Sequence, residues 1–161
     1  MINTKTSLSL FFVFASLVAC DDDAKKYTAE FPRFEPLQLK LAENELPKVG
    51  KSVVVEAPQR KMGKHLYEVT YQWTVSGPAE AVQRYGKSNL YTERTPAPTD
   101  TITFSQSGRY NIVLVASYEV SGIGKGQSFT ENFPAKMGSA KYDGSALRYR
   151  VTLERTIDVD D

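Results

Sequence analysis

Cysteine and histidine each occur once in this chain of 161 residues, and their scarcity excludes more chemistry than any motif supplies. A single thiol closes no intramolecular disulfide, and one imidazole without a second thiol or histidine cannot complete a thiolate or imidazole metal set. His65 therefore reads as a turn residue, and no metal or cofactor is expected. An excess of one charge is equally absent: 20 Lys and Arg face 19 Asp and Glu, so the electrostatic footprint of a nucleic-acid binder is missing. No serine stands in a Gly-x-Ser-x-Gly elbow. The pair Asp158 and Asp160 lies near the terminus, where solvation is the ordinary role. Gly122-Ile123-Gly124-Lys125-Gly126 lacks the spacing and the following helix of a phosphate loop. No catalytic constellation is left standing, and the chain reads as a non-enzyme.

Long apolar runs are also lacking, with one exception at the N-terminus. Leu8 to Ala19 (LSLFFVFASLVA) follows Lys5, falls short of the roughly 20 residues that cross a bilayer, and ends at Cys20 and Asp21-Asp22-Asp23. That arrangement is a signal segment closing on the only cysteine. Leu17-Val18-Ala19-Cys20 resembles the lipobox of bacterial lipoproteins. The resemblance implies that residues 1–19 are removed and that Cys20 carries a diacylglycerol thioether. One acyl chain holds a protein at a membrane only marginally, whereas two or three hold it durably, so the folded part would need no membrane contact of its own. Removal of residues 1–19 takes away Lys5 and no acid, leaving 19 charges of each sign in 142 residues. The expected address is the bacterial cell envelope, at the outer membrane. The acidic run after Cys20 resembles both an inner-membrane retention signal and a surface-export signal, and leaves the face open.

Residues 20–33 read as an acidic tether and 34–161 as one domain. Pro32 and Pro36 discourage helix and favour an extended approach. Leu37, Leu39 and Leu41 alternate with polar residues as a first strand, and Ser52 to Ala57 makes a second. Leu66 to Ser76 alternates most cleanly, with Tyr67, Val69, Tyr71, Trp73 and Val75 on one face and Glu68, Thr70, Gln72, Thr74 and Ser76 on the other. Pro78 to Gly86 suggests a short helical turn, Asn89 to Thr92 a weak edge strand and Thr101 to Phe104 another strand. Gly108 to Val120, apolar in part on both faces, should be central. Leu147 to Val159 closes the chain with Arg155 alone among the inward positions. About seven strands with almost no helical period predict an all-β, antiparallel β-sandwich.

Gly50-Lys51-Ser52-Val53-Val54-Val55, Tyr71-Gln72-Trp73, and Phe104 to Gly108 leading into Tyr110-Asn111-Ile112-Val113-Leu114 together resemble the PKD-like branch of the immunoglobulin-like folds. The resemblance spans roughly residues 37–121. It implies that Trp73 fills the core and that Tyr110 forms a corner through its hydroxyl. After Trp73 the chain departs from the aspartate- and glycine-rich turn of PKD-type domains, and such a fold hosts many activities, so it implies no function.

Two segments attract a binding role. Gly122 to Gly144 is long for a strand connection and carries Phe129, Phe133, Met137 and Tyr142 with Lys125, Lys136 and Lys141. Gln127 to Phe133 can form a strand of its own, with Phe129 and Phe133 packing over the end of the sandwich. Tyr85 and Tyr91 flank polar donors in a second loop, an arrangement that suits glycans and protein contacts alike. The expected function is a lipid-anchored, non-catalytic binding or accessory module, contacting a glycan or an envelope protein through Tyr85, Tyr91, Lys125, Lys136, Met137 and Tyr142. The alternative is a structural spacer or assembly subunit of an envelope complex.

Overall fold

The computed structural model describes residues 29–42, 45–84, 94–120, 128–134 and 137–161. The expected strand at Asn89 to Thr92 lies outside them. All regular structure described is β, and the sheets are antiparallel. Eleven strands occur among the described residues: β1 (Arg33–Phe34), β2 (Gln38–Lys40), β3 (Ser52–Glu56), β4 (Gln59–Lys61), β5 (Leu66–Ser76), β6 (Val82–Gln83), β7 (Thr99–Thr103), β8 (Gly108–Val120), β9 (Phe129–Asn132), β10 (Gly138–Asp143) and β11 (Arg148–Val159). One sheet has the order β2-β3-β7-β6, the second β5-β8-β11-β10-β9, and β1 pairs with β4 in a small third. The excess over seven comes from short pieces and from the β9–β10 pair.

The two larger sheets bury one core. Val53, Val55, Ile102 and Phe104 from the first meet Val69, Tyr71, Trp73, Tyr110, Ile112, Leu114, Tyr118 and Leu153 from the second. Trp73 is 0 % exposed. Tyr110 lies against Phe104, with ring centroids 4.7 Å apart, and its hydroxyl donates to the Gln106 carbonyl at 2.9 Å. That bond spans the turn entering β8 and ties the tyrosine to the backbone four residues upstream. Gly77 is required beside it, because a Cβ there would stand 2.3 Å from the Tyr110 ring.

Three expectations change. Tyr67 is 62 % exposed instead of facing the core. On β5, Leu66 pairs with Val120 but Val69 with Tyr118, so three steps on one strand oppose two on the other. This bulge turns both Leu66 and Val69 inward and leaves Tyr67 and Glu68 outside. Pro78 to Gly86 makes no helical turn among its described residues. Val82 and Gln83 pair with Thr103 and Ile102, and the Arg84 amide donates to the Thr101 carbonyl, so the sheet edge satisfies backbone groups that a short helix would leave open. Arg155 does not enter the core. It is exposed, and its guanidinium donates to the Leu37 carbonyl.

The packed domain also begins upstream of Phe34. Glu30 and Lys64 exchange backbone hydrogen bonds of 3.0 and 2.9 Å, and the Glu30 carboxylate is held by the Lys61 and Lys64 ammonium groups. The chain crosses Gly63, where a Cβ would meet the Glu30 carbonyl at 2.3 Å. Pro32 is buried, and Arg33 reaches β9 through an ion pair to Glu131 at 3.2 Å.

Candidate functional site

Of the residues singled out in the sequence, Tyr85, Tyr91, Lys125 and Lys136 lie outside the described residues, as does the glycine-rich stretch at 122–126. Met137 is half-buried, and its carbonyl accepts from the Glu154 amide at 2.9 Å. Tyr142 is 3 % exposed; its side chain packs inside the domain and offers no ligand platform. The segment from Gly122 to Gly144 contains the β9–β10 hairpin, which extends the five-stranded sheet past β11.

The inner face of that extension is aromatic. Direct cross-strand partners share a face, and the register sets Phe129, Tyr142, Tyr149, Tyr118 and Val69 in one row across all five strands. Phe31, arriving with the N-terminal segment, covers the hairpin end of this row. It stacks on Tyr149 at 4.3 Å and meets Tyr142 at 5.1 Å and Phe129 at 5.5 Å. The expected strand near Gln127 to Phe133 is β9. Phe133 packs against the core, whereas Phe129 stays 37 % exposed.

Burial pushes the Tyr149 hydroxyl up to about 12, with Glu131 adding to the rise and Arg33 opposing it. Burial raises Tyr118 as well, ahead of its Tyr71 neighbour. A hydroxyl kept neutral in the fold but ionised near pH 10 when unfolded stabilises the fold fully below pH 10 and progressively less above it. Stability should therefore fall by about 2–3 kcal/mol between pH 10 and 12 on account of Tyr149. Urea denaturation across that range checks this: Tyr149→Phe should lessen the decline by Tyr149's share and leave the share of Tyr118 in place.

The outer face of the same sheet is largely polar, with Thr130, Asn132, Lys141 and Arg150 exposed and Ser117 buried. One register row reads Thr130, Lys141, Arg150, Ser117 and Thr70, and the next reads Asn132, Ser139, Thr152, Val115 and Gln72. Four inter-strand spacings make it about 19 Å wide. Lys141 stood out in the sequence only as one lysine of the long connection, outside the expected contact set, and nothing there singled out Arg150 or Ser117. Register alone brings the three together.

At the β10–β11 turn, Asp143 Oδ1 accepts from the Ser145 hydroxyl at 2.7 Å and from the Ser145 and Ala146 amides at 3.0 and 3.1 Å. These bonds, the hydroxyl first, hold its carboxyl below the usual range. His65 takes a left-handed backbone (φ 52) in the turn before β5, and Asp158 pairs with Arg109 at 3.0 Å. Among the described residues no three His, Cys, Asp or Glu side chains are grouped to hold a metal ion.

The ends of the sandwich are unequal. The Glu30–Lys64 bridge, the turn at Met62 to His65, Arg94 bonded to the Met62 and Gly63 carbonyls, and Val120 bonded to Leu147 all lie at one end. The turns at 47–51 and 104–108 and the C-terminal Asp160 lie at the other. No protein-family model matches the chain, and no curated protein or solved structure is significantly similar to it.

Proposed function

We propose that the protein is a lipid-anchored module of a bacterial cell envelope that binds a ligand without transforming it. The observation that carries this reading is the sequence LVAC-DDD followed, ten residues after Cys20, by Glu30, whose backbone is fastened to one end of a β-sandwich. Residues 20 to 29 extend at most about 36 Å. A lipid on Cys20 then keeps the Met62–His65 end nearest the bilayer and the C-terminus farthest from it. In that orientation the turns at the anchored end face the membrane, and the largely polar outer face of the five-stranded sheet, standing along the side, is left to meet a ligand.

The sandwich is best read as immunoglobulin/PKD-like. The orders β2-β3-β7-β6 and β5-β8-β11 correspond to the two sheets of a seven-stranded immunoglobulin sandwich, with β9–β10 added beyond the last strand. Trp73 on the third of those strands and the Tyr110 hydroxyl bond before the sixth support it.

The wild-type protein should enter the detergent phase in a cloud-point partition, whereas Cys20→Ala, also stripped of residues 1–19, should enter the aqueous phase with an unchanged melting temperature. Wild-type protein in the aqueous phase would contradict the anchor.

A further inference from the structure

Lys141 of β10 and Arg150 of β11 are direct cross-strand partners on the outer face of the five-stranded sheet. Side chains so opposed have Cβ atoms about 5 Å apart, and two cations there repel. The rest of this face neutralises its arginines: Arg148 pairs with Glu119 and Arg109 with Asp158, both at 3.0 Å. Neither Lys141 nor Arg150 has an ion-pair partner among the described residues. The neighbouring acid on β10, Asp143, is occupied by Ser145 and Ala146, and Lys141 is the least of the influences on its carboxyl.

Ser117 supplies a second, independent sign. It lies opposite Arg150 on one side and Thr70 on the other. It is 9 % exposed, and its Oγ is buried without a hydrogen-bond partner. A buried hydroxyl with an unused proton is a cost to the fold, and so are two facing cations. One group relieves both: an oxyanion accepts from the ammonium, the guanidinium and the hydroxyl together, in charge-assisted bonds stronger than neutral ones. The surroundings are mostly short hydroxyl and amide groups, Thr130, Ser139, Thr152, Asn132 and Gln72, with Val115 between Thr152 and Gln72, spread over a surface about 19 Å across. That breadth suits an extended chain of hydroxyl-bearing units better than a single small anion.

We propose that this face binds an acidic polysaccharide, with a carboxylate or sulfate of the chain held between Lys141 and Arg150 against Ser117 and its sugar hydroxyls lying along the flanking threonines and amides. The proposal rests on the reading of the protein as an envelope binding module and names that module's ligand class and surface.

The test is affinity electrophoresis of the protein through gels holding polygalacturonate, heparin, neutral dextran or polyglutamate. The expected result is retardation by polygalacturonate or heparin and none by dextran, with binding at least about tenfold weaker in the Lys141→Gln/Arg150→Gln double variant. Which acidic polymer retards the protein identifies the oxyanion as carboxylate or sulfate. Lys141→Glu separates binding from folding: it sets an acid opposite Arg150, and should raise the melting temperature by about 1 °C while abolishing retardation. No retardation by either acidic polysaccharide, undiminished retardation of the double variant, or equal retardation by polyglutamate would overturn the proposal. Partition of Cys20→Ala is read separately, so failure here with the anchor intact removes the ligand assignment and leaves the anchored module standing.

Discussion

Gly138→Ala is expected to cost about 2–6 kcal/mol, although it adds a single methyl group to a half-buried position. Gly138 begins β10 with φ at +127°, and its cross-strand partner is Leu153. A Cβ there would stand 1.9 Å from the Thr152 carbonyl oxygen and 2.8 Å from its carbonyl carbon. Backbone cannot swing aside as a side chain does, so β10 must part from β11 where the hairpin starts. A backbone conformation reserved for glycine contributes about 1–3 kcal/mol, and forced overlap in a packed site contributes about 1–3 kcal/mol more. The hydrogen bonds from the Phe133 amide to Gly138 and from the Glu154 amide to Met137, both 2.9 Å, are lost in the same movement. Gly50→Ala is the matched comparison. It also has positive φ, +72°, but nothing within 4 Å of an added Cβ, so it should cost only about 1–2 kcal/mol. Urea midpoints for the two variants measure the difference, and equal midpoints would show that the β10–β11 contact is not as close as described.

Trp73→Ala should remove about 3–5 kcal/mol, the usual cost of emptying a buried aromatic site. Trp73 is fully buried midway along β5, opposite Leu114, and is among the largest fully buried side chains. Domains of this size are stable by about 5–15 kcal/mol, so the loss takes about a fifth or more of the total and should appear as poor soluble yield. Trp73→Phe should cost far less, about 1 kcal/mol. It retains a buried ring and also removes the indole Nε1–H, which has no hydrogen-bond partner. Because Trp73 is the only tryptophan, wild-type fluorescence excited at wavelengths that tyrosine does not absorb reports this core site alone. The variants are followed by far-ultraviolet circular dichroism, with an unchanged slope in urea confirming that only stability has shifted.

The long strands were legible because each buries one face over many residues. Leu66 to Ser76 and Gly108 to Val120 coincide with β5 and β8, and Leu147 to Val159 misses β11 by one residue. Leu147 itself sits in the turn, with φ at +50°. A period of two carries no mark of an inserted residue, which is why the bulge at Tyr67 escaped notice. The β9–β10 hairpin was half legible. Phe129 to Asn132 is exposed throughout and β10 buries only Ala140 and Tyr142, too few positions to show alternation. Its stability comes from pairing with β11 and from Phe31, and that residue was assigned to the tether by its neighbouring prolines. Two-residue strands such as β6 exist only because a sheet edge is there to receive them.

Site residues were harder, because chemistry on a sheet is assembled by register and not by sequence proximity. Lys141 and Arg150 are nine positions apart, and nothing in the spacing says whether they face each other, diagonal neighbours or solvent. The turn at Asp143 to Leu147 decides it, through the Asp143 carboxylate bonds that set the hairpin's return. Tyr142 was read as a loop aromatic because strand β10 was not seen; once it is in a strand, alternation puts it inside beside Tyr149 and leaves Lys141 outside.

The most direct test of an anchored module is mass spectrometry of the mature N-terminus, with Cys20→Ala as control. The account predicts a chain that begins at Cys20 with a diacylglycerol thioether on its sulfur, and an unlipidated control. A mature chain that begins elsewhere, or that keeps Cys20 as a free thiol, would contradict it.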